Sequence, residues 1–141
     1  AIFQLEDDEP SGPGWLPDGR LLIVSMKNQK LLAFSDGKLT EFADLPAIAT
    51  YHCNDMVTDG NGRSYVGNFG FDPHSDAEVE TAAMMLVHPD GTTELAADKL
   101  LFPNGTVITP DGKTLIVGES FDAKLTAFDI NPDGTLANRR E

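Results

Sequence analysis

Residues 102–120 read FPNGTVITPDGKTLIVGES. A Pro-Asn-Gly, a short run alternating with β-branched residues, a Pro-Asp-Gly turn and an apolar run follow one another. Asp-Gly between two such runs is a strong short-range signal for a β-hairpin. The pattern occurs three times. Aligned on the turn glycine, TPDGK around Gly112 is matched by LPDGR around Gly19 and TDGNGR around Gly62, with spacings of 43 and 50 residues. After each turn comes an apolar run: LLIVSM (21–26), SYVGNF (64–69) and TLIVGE (114–119). A third strand follows, KLLAFS (30–35), MMLVH (84–88) and KLTAFDI (124–130), and runs on to Asp36-Gly37, Asp90-Gly91 and Asp133-Gly134. A more polar fourth strand completes each unit: KLTEFAD, TTELAAD and TLANRRE.

Four strands per unit at this period are the signature of propeller blades. The expected fold is therefore all-β, a β-propeller of three four-stranded antiparallel blades. Three unrelated hairpins in a sandwich are the alternative, but they would not match four strands and two turns in order three times. LLIV (21–24) and LIV (115–117) are continuous apolar runs, as expected of strands covered on both faces by neighbouring blades. No helical periodicity persists for three turns anywhere. The units run from 11 to 45, from 46 to 100 with an inserted loop at 70–81, and from 101 to 141. Residues 1–10 precede them as the remnant outer strand of another blade, with AIFQL (1–5) standing where KLTEFAD stands before Asn54.

The chain has 141 residues and 40% hydrophobic composition, enough for one domain with a core. Closed propellers typically have about four to eight blades. Three blades are therefore expected to be a piece of a longer propeller, or a half that must assemble. The net charge of −13 argues against nucleic acid, whose phosphates need Lys and Arg, and against anionic membrane surfaces. An acidic funnel instead favours cations. Cys53 is the single cysteine, so no intrachain disulfide can form. Nothing resembles a signal peptide or a transmembrane run, which leaves the cytoplasm as the default location.

Eight residues before each turn glycine lie Ser11, Asn54 and Asn104. In a blade whose first strand lines the channel, all three project near one mouth, called the top here. The inserted loop between the second and third strands of the second unit overhangs the same mouth, and the Asp-Gly turns lie at the bottom. Asn or Ser before a strand often satisfies local backbone groups. Two asparagines at one repeat position around one axis also offer hard carbonyl oxygens suited to Ca²⁺ or Mg²⁺.

SGPGWLPDGRLLIVSM, HCNDMVTDGNGRSYVGNFGFD and LLFPNGTVITPDGKTLIVGESFDAKLTAFDI closely resemble the senescence marker protein / gluconolactonase / luciferin-regenerating enzyme family. That resemblance implies a six-bladed propeller, of which these units are the second to fourth blades. It also implies one divalent metal at the channel mouth and hydrolysis of sugar-acid lactones. Ca²⁺ is the preferred ion, with Mg²⁺, Zn²⁺ or Mn²⁺ as alternatives. Asn54 and Asn104 match the family's two metal-binding asparagines. The glutamate and the aspartate of that site, the aspartate being the implied proton carrier, have no counterpart here, so no catalytic residue is assigned. Ser11 is at a position the family does not use as a ligand. His52 stands where some members place a substrate-contacting arginine, and it is assigned to substrate together with Glu119 at the end of a second strand. Strand alternation turns Asp55 away from the face of Asn54, so Asp55 is set aside. Asp72 and His74 in the inserted loop read as solvated, and His88 lies towards the bottom with no role.

Two functions follow as expectations. One is half of a metal-dependent lactonase acting on a small lactone or sugar acid, inactive or weak as an isolated chain. The other is a propeller module that binds or assembles without chemistry. A twofold homodimer would supply six blades and close the ring. In one form of it, AIFQL displaces the charged TLANRRE strand of the partner.

Overall fold

The computed structural model describes residues 1–141 as twelve strands in three four-stranded antiparallel sheets. The first sheet is β1 (Pro10–Trp15), β2 (Leu21–Ser25), β3 (Lys30–Ser35) and β4 (Lys38–Asp44). The second is β5 (Cys53–Thr58), β6 (Ser64–Asn68), β7 (Ala82–Val87) and β8 (Thr93–Leu100). The third is β9 (Pro103–Ile108), β10 (Thr114–Glu119), β11 (Lys124–Ile130) and β12 (Leu136–Arg140). Each sheet is a meander in chain order, and the first strands β1, β5 and β9 lie side by side. This is the blade architecture that the repeat predicts. No helix is present that is long and apolar enough to cross a membrane.

The sheets bury their faces against one another in two seams. Leu22, Val24, Leu31, Met56, Val66 and Met85 fill the first, between the first and second blades. Tyr65, Met84, Leu86, Leu115, Val117 and Phe128 fill the second. Each such side chain, fully withdrawn from water, contributes about 1.5–3 kcal/mol. The bottom of the second seam is pinned by polar contacts. Tyr65 donates to the carbonyl of Gly134 at 2.7 Å, and Arg63, held by Asp59, donates to the carbonyl of Pro132 at 2.8 Å.

The two outer flanks differ. On the outer face of blade one, residues 1–9 form no strand. The Phe3 ring packs on Phe34 of β3 at 5.6 Å, Leu5 lies beside Leu32 and Leu39, and Asp8 accepts from the Ser25 hydroxyl and the Lys27 amide. This corrects the reading of AIFQL as a strand and removes the strand-exchanged form of the dimer, because the segment is spent on its own chain. The outer face of blade three has no such cover. Val107, Ile116 and Ala127 align across it, as do Asn104, Gly118 and Leu125. Val107 is 54% and Leu125 65% exposed. Ile116, expected to be covered on both faces, is only half-buried for the same reason.

Candidate functional site at the top of the first strands

Each first strand carries a β-bulge near its top. Ser11 and Gly12 together face Val24, Asn54 and Asp55 face Gly67, and, one residue further along, Gly105 and Thr106 face Val117. A bulge breaks the alternation of side chains and re-aims them. This is why Cys53 and Asn54 are both buried although they are adjacent. It is also why the alternation argument fails for Asp55, whose carboxylate reaches the same neighbouring strand as Asn54 and accepts from the Thr106 amide at 2.8 Å.

Asn54 is 4% exposed, and its Nδ2 donates to the Pro103 carbonyl at 2.8 Å. That bond fixes which end of the amide is oxygen. Asn54 Oδ1 is buried and has no hydrogen-bond partner. An unsatisfied buried carbonyl costs about 1–3 kcal/mol. Gly67 leaves the space beside it, since a Cβ there would lie 3.0 Å from Oδ1. Asn104 occupies the same repeat position in β9 but is exposed, with Oδ1 accepting only from the adjacent Gly105 amide at 3.1 Å.

His52 is half-buried and stacks on Tyr51 at 4.2 Å. Together with Phe69, Lys27 and the loop residues Asp72 and His74 it lines a cavity of about 330 Å³. The inserted loop therefore meets the top mouth, and it brings His74 and Asp72 to His52, which the sequence left apart.

Glu119 is corrected. Its side chain is 1% exposed and faces the second seam rather than a mouth. Oε1 accepts from the Thr126 hydroxyl at 2.5 Å and from Arg139 at 3.0 Å, and Oε2 accepts from the Leu101 amide at 2.7 Å. Burial pushes its pKa up, but these bonds and the charges of Lys124 and Arg139 outweigh that and hold it below the ordinary glutamate value. A carboxylate so occupied ties blade three to the β8–β9 connection and is not available to a substrate. Cys53 is inert for a related reason, since burial pushes its thiol up to about 12. His88 pairs with Glu94 at 2.7 Å in the bottom hairpin.

A divalent cation such as Ca²⁺ takes about six to eight oxygens, with carboxylates supplying the charge. Here the repeat offers two neutral amide carbonyls, one of them sealed, and one Asp55 carboxylate already bound to a backbone amide. Nowhere do three His, Cys, Asp or Glu side chains converge. These residues alone do not fit a divalent ion.

Phe102 went unnoticed in the sequence. It lies ten residues before its turn glycine, as His52 does, and the common offset was the signal that could have found it.

The model of the SMP-30/Gluconolactonase/LRE-like region matches residues 2–141. No curated protein sequence matches the chain. Among solved structures, a luciferin-regenerating enzyme superposes with a TM-score of 0.78 at 16% identity, over 96% of this chain and 47% of its own. Regucalcin from Agrobacterium tumefaciens, described as a calcium-binding protein, gives 0.78 at 20% identity, over 97% and 46%. A gluconolactonase from Xanthomonas campestris gives 0.56 at 21% identity, over 94% and 61%. At such identities these likenesses show the fold, and the chain spans roughly half the length of these structures.

Proposed function

The chain belongs to the SMP-30/gluconolactonase/LRE-like family, and from that premise we propose that it is half of a divalent-metal-dependent lactone hydrolase whose substrate sits at the top mouth. The observation that carries this is the repeated asparagine position. Asn54 holds an orphaned carbonyl beneath that mouth, and Asn104 presents its amide openly beside it. Asn104 offers a donor and an acceptor to a lactone carbonyl or hydroxyl, and His52 reaches a hydroxyl or carboxylate from the cavity rim. A divalent ion in the assembled ring would need its negative ligands from outside these three blades, and Asn104 Oδ1 would be this chain's accessible contribution. The gluconolactonase and the calcium-binding regucalcin among the similar structures support this reading.

The test is hydrolysis of glucono-δ-lactone, with the solution mass followed by light scattering with and without Ca²⁺. A single chain hydrolyses little. A ring-sized assembly hydrolyses the lactone, loses activity to a chelator and loses about tenfold or more on Asn104→Ala. Activity indifferent to Asn104→Ala overturns the proposal. A ring-sized assembly with no turnover identifies the non-catalytic binding module instead.

A further inference from the structure

We propose that Phe102, flanked by Phe69 and Phe121, is a specificity-determining wall of the mouth, and that it selects lactones bearing a flat apolar ring over polyhydroxylated ones. The proposal rests on the lactonase reading for the word lactone, but the wall stands on its own geometry.

The first observation is register. Glu9, His52 and Phe102 each lie ten residues before a turn glycine, and their carbonyls accept from Met26, Phe69 and Ser120 at 3.0, 3.0 and 3.1 Å. The three residues therefore stand at equivalent backbone positions at the top of successive first strands. Phe102 is the third-blade counterpart of His52, one residue before Pro103-Asn104. The second observation is backbone strain. Phe102 has φ 55°, a left-handed conformation that is rare for a bulky residue and that persists where the surroundings enforce it.

The surroundings here are rings. Phe102 stacks on Phe69 at 4.8 Å with 6° between planes, meets Phe121 at 4.8 Å, and has the edge of Phe71 at 6.0 Å. Phe71 is 7% exposed and forms the floor, whereas Phe121 is 51% exposed and forms the rim. From Phe69 the ribbon continues to Tyr51 at 6.4 Å and so to His52 and its cavity. A cavity of this size suits a small molecule. The cavity is lined by the polar groups of Glu9, Lys27, His52, Asp72 and His74 together with Phe69, and beyond Phe69 the rings of Phe102 and Phe121 offer no hydrogen bond. A sugar lactone laid against them buries its C–H face but leaves its hydroxyls without partners there, at a cost for each one left unpaired. A flat apolar ring there gains both burial and favourable ring geometry.

The experiment measures binding and hydrolysis of dihydrocoumarin and of glucono-δ-lactone by the full chain in its assembled state. It compares wild type with Phe121→Ala, chosen for its exposure, and with Phe102→Leu, which keeps apolar bulk but not the flat face. Wild type binds dihydrocoumarin the more tightly. Phe121→Ala weakens that binding about tenfold and leaves glucono-δ-lactone within about twofold. Phe102→Leu weakens dihydrocoumarin in the same direction while its melting temperature stays near wild type. Equal losses for both lactones, no loss for either, or a wild-type preference for glucono-δ-lactone overturns the wall. If dihydrocoumarin binds and responds to Phe121→Ala but neither lactone is opened, the wall stands and the lactonase reading falls. If glucono-δ-lactone is opened and dihydrocoumarin does not bind, the reverse holds.

Discussion

Asn54 and Asn104 stand at one repeat position and meet opposite fates. The third blade closes over Asn54, so its amide is 4% exposed and bonded to the Pro103 carbonyl. Nothing closes over Asn104, which lies on the bare face with Gly118 and Leu125. The same contrast runs through their neighbours. A Cβ on Gly12, in the first seam, would lie 2.5 Å from the backbone nitrogen of Met56, whereas a Cβ on Gly105, at the equivalent offset in β9, would meet nothing within 4 Å. The covered seams thus show what a neighbouring blade does to this repeat position, and the open face shows the position without one. Environment at a repeat position is set by the next blade along, and only secondarily by the residue itself.

The sharpest way to break this comparison is Gly12→Ala. Backbone cannot yield as a flexible side chain would, so the loss should reach the upper end of overpacking costs, about 3 kcal/mol, read from urea unfolding. A loss under about 1 kcal/mol would show that the seam is looser than it looks. Next comes Glu119→Gln, expected to cost about 2 kcal/mol because it removes a charge that Thr126, the Leu101 amide and Arg139 all hold. The folded-state pKa of Glu119 lies below its unfolded value. Its contribution is therefore complete above the ordinary glutamate range and is lost as pH falls through the folded value. Acid unfolding of the variant should show a shallower slope in that window, and an unchanged slope would remove Glu119 from the account. The smallest effect belongs to Leu125→Lys on the open face. It should shift the stability of the chain alone by no more than about 0.5 kcal/mol, yet block the ring assembly proposed above. A large loss in the chain alone would mean that this face is already covered.

The blades were legible because Asp-Gly turns and apolar runs are local signals, repeated three times in order. β3, β10 and β11 coincide with the runs KLLAFS, TLIVGE and KLTAFDI. The segment AIFQL was not legible. Its place before Ser11 matches that of KLTEFAD before Asn54, but a strand needs a partner, and tertiary packing of Phe3 on Phe34 decides otherwise. Asn54 and Asn104 were found from their offset, but their difference in burial depends on a neighbouring sheet and is invisible along the chain. Glu119 was misplaced because its position at the end of a strand suggested the mouth, and only the register with Lys124 and Phe128 turns it into the seam. Asp55 was set aside on an alternation that the bulge cancels. Phe102 was overlooked because hydrophobic residues next to a strand look like core.

The bulges in β1, β5 and β9 have a consequence for how such a protein changes over generations. Each places two residues opposite one, near the same point of its unit, and the pairing resumes on either side of them. Where the neighbouring blade leaves room, which it does not beside Gly12, mutation at these spots can redraw what the mouth presents without disturbing the sheet that carries it. Ser-Gly, Asn-Asp and Gly-Thr already occupy the three bulges. Units that share one scaffold are thus able to differ one at a time, each blade keeping its architecture while carrying its own two-letter word at its tip.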